Sequence, residues 1–449
     1  MHIVIIGNGI SGITAARFLR KRSEHKITVI SAETDHFYSR TALMYIYMGH
    51  MRYQDTKPYE DHFWEKNRID LKRAYVKSVD FKNKSLKLDN GEMAYDKLIL
   101  AVGSTPNKFG WPGQDLKGVG GMYSFQDLER MEEYSPNLKR AVIVGGGLIG
   151  IEMAEMFHSR HIPSTILVRE ASYWDAVLPP EESLMINRHI LEHGIDLRLE
   201  TELKEILPNE KGEAKAVVTN KDETIESQFV GLTAGVHPNI GFVKDTELEV
   251  QKGIMVNEYL ETNIEDVYAI GDCAQARNPL PGRRPIEAIW YTGRMMGETV
   301  AHIITGNKVS YNPGTWFNSA KFFDIEYQVY GNMQAKLIEG HETIYWEHPE
   351  GRKGIRVNYN KATKVVEGFN LMGVRYRHEV CQKWVDDKTP IEEVLTNLGL
   401  ANFDPELYEE YEEFVVAAYN KQTGKHLVLK QKRDLNAVTR FLSKLIKTN

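Results

Sequence analysis

Val4-Ile5-Ile6-Gly7-Asn8-Gly9-Ile10-Ser11-Gly12 stands at the start of the chain, and Val142-Ile143-Val144-Gly145-Gly146-Gly147-Leu148-Ile149-Gly150 repeats its pattern further on. Each stretch reads as a strand buried on both faces, then glycines spaced G-x-G-x-x-G, then an amphipathic helix. The first glycine makes the tight turn and the second lets backbone N–H groups approach a pyrophosphate. The third lets helix and strand pack closely, and the helix N-terminus adds favourable positive potential. A lone glycine-rich turn is weak evidence; here both copies follow a strand and open a helix. One loop binds one dinucleotide, so two predict a flavin and a nicotinamide held face to face.

The 449-residue chain carries a net charge of −6. Its length allows roughly two to four domains with ample core. Ordinary apolar and charged content indicates neither disorder nor a fibrous class, and the acidic balance argues against general nucleic-acid binding. No apolar run approaches the roughly eighteen residues of a membrane helix. The run Ile3–Ile6 passes straight into the first loop without a signal-peptide pattern, and a cytoplasmic protein is expected. The two cysteines, Cys273 and Cys381, are far apart, with no C-x-x-C or C-x-x-x-x-C spacing. That excludes a redox disulfide from a close pair and a cysteine-ligated iron–sulfur cluster in this chain, and no metal site is expected. Cys273 reads as a small buried hydrophobe.

The expected fold is α/β: two Rossmann-like dinucleotide-binding domains, one inserted in the other, plus an α+β C-terminal interface domain. Residues 1–110 and 239–314 form the first domain and 111–238 the second. Ile27–Ser31 makes the second strand, and Glu33 follows about 20 residues past the loop, the offset at which an acid meets an adenosine ribose. An exposed loop carboxylate is the alternative. Asp96–Gly103 is a further buried strand, and Thr262–Asp272 delivers an aspartate after Gly271 before a helix over residues 291–304. Between the domains, Trp111-Pro112-Gly113 through Gly121 reads as a linker. In the third region, 315–449, Ile344–Glu347 and Gly354–Tyr359 alternate as antiparallel strands with one solvated face. Helices are expected over 377–398 and 405–419. Leu435, Val438, Leu442 and Leu445 fall at helical spacing in a basic terminal helix.

These motifs resemble the two-dinucleotide-domain flavoproteins of the glutathione reductase fold. The similarity covers about Met1 to Gly306 and is greatest to the branch without reactive cysteines: ferredoxin and rubredoxin reductases, the nitrite reductase flavin module and apoptosis-inducing factor. The resemblance implies that Gly7, Gly9 and Gly12 cradle the FAD pyrophosphate, with Glu33 on the ribose. Arg40, in Phe37-Tyr38-Ser39-Arg40, reaches the phosphates, and Asp272 the ribityl chain or a phosphate-side oxygen. Ser11, Gly103 and Gly271 are expected to join the FAD contacts. On the nicotinamide side the expected contacts are Gly145, Gly147, Leu148, Ile149, Gly150 and Gly235.

Three residues are candidates beside the reacting rings. Glu152 matches the glutamate that orients the nicotinamide, and Trp290 resembles a tryptophan near the flavin, displaced by one residue. Tyr45 stands where several relatives carry a lysine. Tyr45 or Tyr47 would donate a hydrogen bond to the flavin or stack on it, with core packing the alternative for each. The segment Leu43–Met48 lacks the cysteines that disulfide reductases place there. After the strand Thr165–Val168, Arg169 suits a 2′-phosphate and Glu170 a ribose hydroxyl, which leaves NADPH or NADH open and tips the reading towards NADPH.

The resemblance thus implies an FAD-dependent NAD(P)H oxidoreductase, homodimeric through its C-terminal domain, whose electrons go to an external acceptor, foremost a ferredoxin-like carrier protein. The alternatives are a redox-responsive interaction flavoprotein and a quinone-reducing type II NADH dehydrogenase. For the basic terminal helix, carrier docking, lipid contact and plain packing all remain open, with lipid the least favoured.

Overall fold

A computed structural model describes residues 1–403, 407 and 409–430. The chain forms two compact units, Met1–Trp174 with Ile190–Pro313, and Asp175–His189 with the residues from Gly314 onward. Among the described residues no helix is long and apolar enough to cross a membrane.

In chain order the first unit contains β1 (His2–Ile6), α1 (Ile10–Arg22), β2 (Lys26–Ser31), α2 (Leu43–Tyr47), β3 (Ile69–Arg73) and β4 (Lys97–Leu100). It continues with β5 (Val119–Gly120), α3 (Phe125–Tyr134), β6 (Ala141–Val144), α4 (Leu148–Ser159) and β7 (Ser164–Leu167). Helix α5 (Pro180–Glu192) intervenes, and then come β8 (Asp196–Arg198), β9 (Phe229–Leu232), β10 (Val267–Ala269) and α6 (Trp290–Ile304).

The first sheet is five-stranded in the order β10-β4-β1-β2-β3, and the second in the order β8-β7-β6-β9-β5. All pairings in both are parallel. Each glycine loop leaves the strand from which the chain builds first to one side and then to the other, β1 in one sheet and β6 in the other. That is the switch point at which open α/β sheets bind ligands. Strand β10 adds to the first sheet beside β4, so the chain returns there after completing the second. Helix α6 crosses α1 at very short range: a Cβ on Gly293 would stand 2.6 Å from Ser11 Oγ, and one on Gly297 would stand 2.4 Å from Ser11 O.

The second unit is built on β11 (Phe317–Phe322), β12 (Ile325–Gly331), β13 (His341–Glu347), β14 (Gly354–Asn360) and β15 (Val366–Met372). They form an antiparallel sheet ordered β11-β12-β15-β14-β13. Helices α7 (His378–Asp386), α8 (Ile391–Thr396) and α9 (Glu412–Thr423) share a core with Ile355, Val357 and Tyr359 of β14.

The structure corrects three expectations here. Strand β14 has no solvated face: Arg356 and Asn358, which alternation would send to water, are buried. The cover is the start of α5, where Arg356 Nε donates to Glu182 Oε1 at 2.7 Å and a terminal nitrogen reaches Glu182 Oε2 at 2.8 Å and Glu181 Oε2 at 2.7 Å. The helix expected over 377–398 breaks at Asp387–Pro390, where Lys388 takes a φ of 54° and Pro390 caps the next helix. The helix expected from 405 begins, among the described residues, at Glu412 and runs to Thr423, ending on Gly424 with φ 71°. The basic terminal helix lies outside the described residues.

The buried ion pair gives a direct test. Arg356→Met leaves the Glu182 carboxylate uncompensated and should cost about 3 kcal/mol in urea unfolding, and the double variant R356M/E182M should recover most of it.

Candidate functional site

Each loop divides its glycines by physical task. A Cβ on Gly7 (φ +112°) would stand 2.1 Å from Ala101 O, and one on Gly12 would stand 2.0 Å from Gly7 O. In the second loop, Gly145 (φ +129°) would meet Thr233 O at 2.7 Å and Gly150 would meet Gly145 O at 2.5 Å. Packing therefore dictates the first and third glycines of both loops. The middle glycines are different: a Cβ on Gly9 or Gly147 would meet nothing within 4 Å. Both are N-cap residues without a side-chain cap, and neither α1 nor α4 has an acid in its first turn. Uncapped N–H groups above open space suit a pyrophosphate.

Beside the first loop, Glu33 and Arg40 meet. Arg40 donates to Glu33 Oε2 at 2.6 Å and to Oε1 at 2.9 Å. The N–H of Phe125 donates to the same carboxylate at 3.0 Å, and the Tyr38 hydroxyl donates to it as well. Burial pushes the Glu33 carboxyl up, but Arg40, Tyr38 and Phe125 together hold it below its usual range. The pair stays reachable, with 31% of the Arg40 side chain and 20% of the Glu33 side chain open.

Tyr123 was not foreseen. Its carbonyl accepts from Arg40 and its ring lies 4.6 Å from that guanidinium. Its hydroxyl accepts from the Ser104 N–H at 2.9 Å and reaches Asp272 Oδ2 at 3.4 Å. Tyr123 lies in the stretch after the linker, just before the capping pair Ser124–Asp127 at the start of α3. No periodicity or spacing in the sequence marks the tyrosine.

Asp272 lies in a short 3₁₀ turn after β10. Its second neighbour is Ser104 Oγ at 3.3 Å, so both hydroxyl contacts are long. Burial pushes this carboxyl up, although part of the residue stays open. A carboxylate with only long hydroxyl contacts, a cation and a helix N-terminus without a side-chain cap, which follow β10, β2 and β1 at the carboxyl end of one sheet, fit FAD: hydroxyls for Asp272, phosphates for Arg40 and the loop, and a ribose for Glu33.

The remaining candidates separate by environment. Ser11 packs under α6, where a Cβ on Gly271 (φ +73°) would meet its Oγ at 2.3 Å. Gly103 (φ +66°) lies against the Tyr123 hydroxyl and Gly235 (φ +82°) against the Asn107 amide. Leu148 and Ile149 open α4, and Glu152 is half-buried one turn on. Tyr45 is half-buried with its ring stacked on His50, the centroids 6.2 Å apart. Tyr47 is a core residue: its hydroxyl pairs with Ser135, and the Arg160 guanidinium lies 3.6 Å from its ring centre. Trp290 opens α6, is 37% exposed, and meets Tyr291 edge-on. Val168 is fully buried, whereas the mostly exposed Arg169 donates to Glu170 Oε1 at 2.8 Å.

Two parallel sheets, each with an open loop at its switch point, define a flavoprotein reductase of the two-dinucleotide-domain class. Residues 1–300 match the family model described as pyridine nucleotide-disulphide oxidoreductase, and the chain belongs to that family. It is an FAD-dependent oxidoreductase whose other cofactor is a pyridine nucleotide. The chain is 30% identical over 282 residues to the NADH-rubredoxin oxidoreductase of Clostridium acetobutylicum, covering 62% of this chain and 70% of that protein. It is also 30% identical over 281 residues to the nitrite reductase [NAD(P)H] of Bacillus subtilis strain 168, covering 62% of this chain but only 34% of that longer protein. The solved NAD-dependent persulfide reductase of A. fulgidus has the same fold, with a TM-score of 0.82 at 22% identity over 97% of this chain and 86% of that one.

The division of labour among the glycines is testable. Gly9→Ala should leave the melting temperature of the FAD-free protein unchanged and weaken FAD binding at least about tenfold, read from retained flavin absorbance. Gly12→Ala should instead lower the melting temperature, because its Cβ has nowhere to go.

Proposed function

We propose that the protein takes reducing equivalents from NADH or NADPH and delivers them to a small electron-carrier protein of the rubredoxin or ferredoxin type. The observation that carries this reading is the burial of both thiols. Cys273 is fully buried, with its Sγ–H directed at Ile270 O and Leu100 O, and burial pushes the thiol up to about 12. Cys381 is fully buried in the core of the second unit and is likewise pushed up. Neither is a nucleophile or an electron relay, so electrons must leave for an outside acceptor. Bound FAD supplies the chemistry, a ring that accepts two electrons together and releases them singly.

The chain's residues bind and orient. Gly7, Gly9 and Gly12 admit one pyrophosphate and Gly145, Gly147 and Gly150 the other. Arg40 supplies a cation for phosphate, Glu33 an acceptor for ribose and Asp272 an acceptor for hydroxyls. Glu152 holds the nicotinamide amide, and Tyr45 and Trp290 wall the reacting rings from water. The Clostridium relative, named for NADH and rubredoxin, supports the choice of acceptor. A cytoplasmic homodimer completes the proposal, and the exposed Phe414, stacked on Trp346, is the apolar surface that favours self-association.

Anaerobic stopped-flow mixing of the FAD-loaded protein with NADH, then NADPH, should bleach the flavin within a turnover, and added rubredoxin or ferredoxin should restore the colour. Bleaching by neither donor sinks the proposal, whereas reoxidation by oxygen alone would replace the carrier. Because Glu170 neutralises Arg169, Glu170→Gln should shift kcat/KM towards NADPH over NADH by about tenfold.

A further inference from the structure

The two nucleotide loops are held by different means. In the first, the residue between the glycines is Asn8, whose side-chain amide donates to Thr34 O at 2.9 Å, just past the end of β2. The loop thereby anchors itself to the segment that carries Glu33. The second loop has Gly146 at the equivalent place and lacks a side chain to do this. Nor would one fit, because a Cβ on Gly146 would stand 2.8 Å from a methyl of the buried Val168. Three consecutive glycines are also the most mobile loop a sequence can write.

An outside residue takes over. Tyr173, fully buried and just past Arg169 and Glu170, donates its hydroxyl to Gly147 O at 2.7 Å. The same oxygen takes the N–H of Ile151, in the first turn of α4, at 3.2 Å, and that N–H also faces the tyrosine hydroxyl. The tyrosine thus grips both ends of the turn whose free N–H groups face open space. Gly150 has only 3.1 Å between a built Cβ and this hydroxyl, so the third glycine also admits the clamp. Burial, and then the nearby Glu152 carboxylate, push the phenol well above its ordinary range, so it remains a donor at any working pH.

We propose that Tyr173 is a positioning residue of the pyridine nucleotide site, holding the triple-glycine loop in its ligand-ready form. It does for the second loop what Asn8 does for the first. The inference rests on the proposed reading of that loop as the NAD(P)H loop.

The test uses the FAD-loaded full chain and Tyr173→Phe, which keeps the ring and removes the clamp. Calorimetric titration with NAD⁺ and NADP⁺ should show Kd weakened about fivefold in the variant, the effect of one hydrogen bond. KM for the reduced nucleotide should rise with kcat held within about twofold. Flavin content and melting temperature should not change, and amide exchange at Ile151 should quicken. Equal nucleotide affinity in wild type and variant overturns the clamp while leaving the loop's assignment standing. Parallel loss of flavin or of melting temperature also overturns it, because a general packing role would produce that. If the wild type binds neither nucleotide, the assignment of the loop fails and the clamp with it.

Discussion

The architecture of the first unit depends on a steric constraint met twice, at the point where a strand hands over to a helix. Gly7 lies so close to Ala101 O, and Gly12 to Gly7 O, that no side chain can enter. The same closeness recurs at Gly145 and Gly150. Such crowding holds the helix start against the strand end and aims its unpaired N–H groups at one spot. The approach of α6 to α1 at Gly293 and Gly297 extends this from a single turn to a whole layer. Buried parallel strands supply stability, and the crowded turns decide where a ligand can come near the backbone.

Opposite charges pair within both nucleotide regions. Glu33 and Arg40 are bonded to each other, and so are Arg169 and Glu170. Within each of these two pairs, neither charge stands without a counter-charge when the ligand is away. Binding then exchanges one partner for another, which limits the desolvation cost. It also makes each residue's contribution depend on its neighbour, so single substitutions around Glu33 or Glu170 will not add simply.

What was legible in the sequence follows from what sequence patterns encode. The places of Gly7 and Gly145 in tight turns, and of Glu33 and Asp272 just past strand ends, were readable because they are set by distance along the chain from a strand or a turn. Tyr123 and Tyr173 were not, because each acts through a hydroxyl on a residue far away or in another element, and a lone tyrosine carries no spacing. Tyr47 shows the converse: its position near the expected flavin helix left two readings open, and its contacts with Arg160, Ser135 and Phe157 make it core. In the second unit alternation misled at Arg356 and Asn358. A polar residue on every second position predicts a wet face only if nothing covers the sheet, and here α5, drawn from the middle of the sequence, covers it with acids.

The seclusion of Cys273 and Cys381 has a consequence for the setting in which the protein can work. The thiolate is the form that attacks peroxide, alkylating agents and disulfides, and both sulfurs are held as neutral thiols away from solvent. The polypeptide therefore has no handle for the glutathione or thioredoxin poise of its surroundings. Its two thiols are thereby shielded from oxidants that would modify an exposed, low-pKa cysteine.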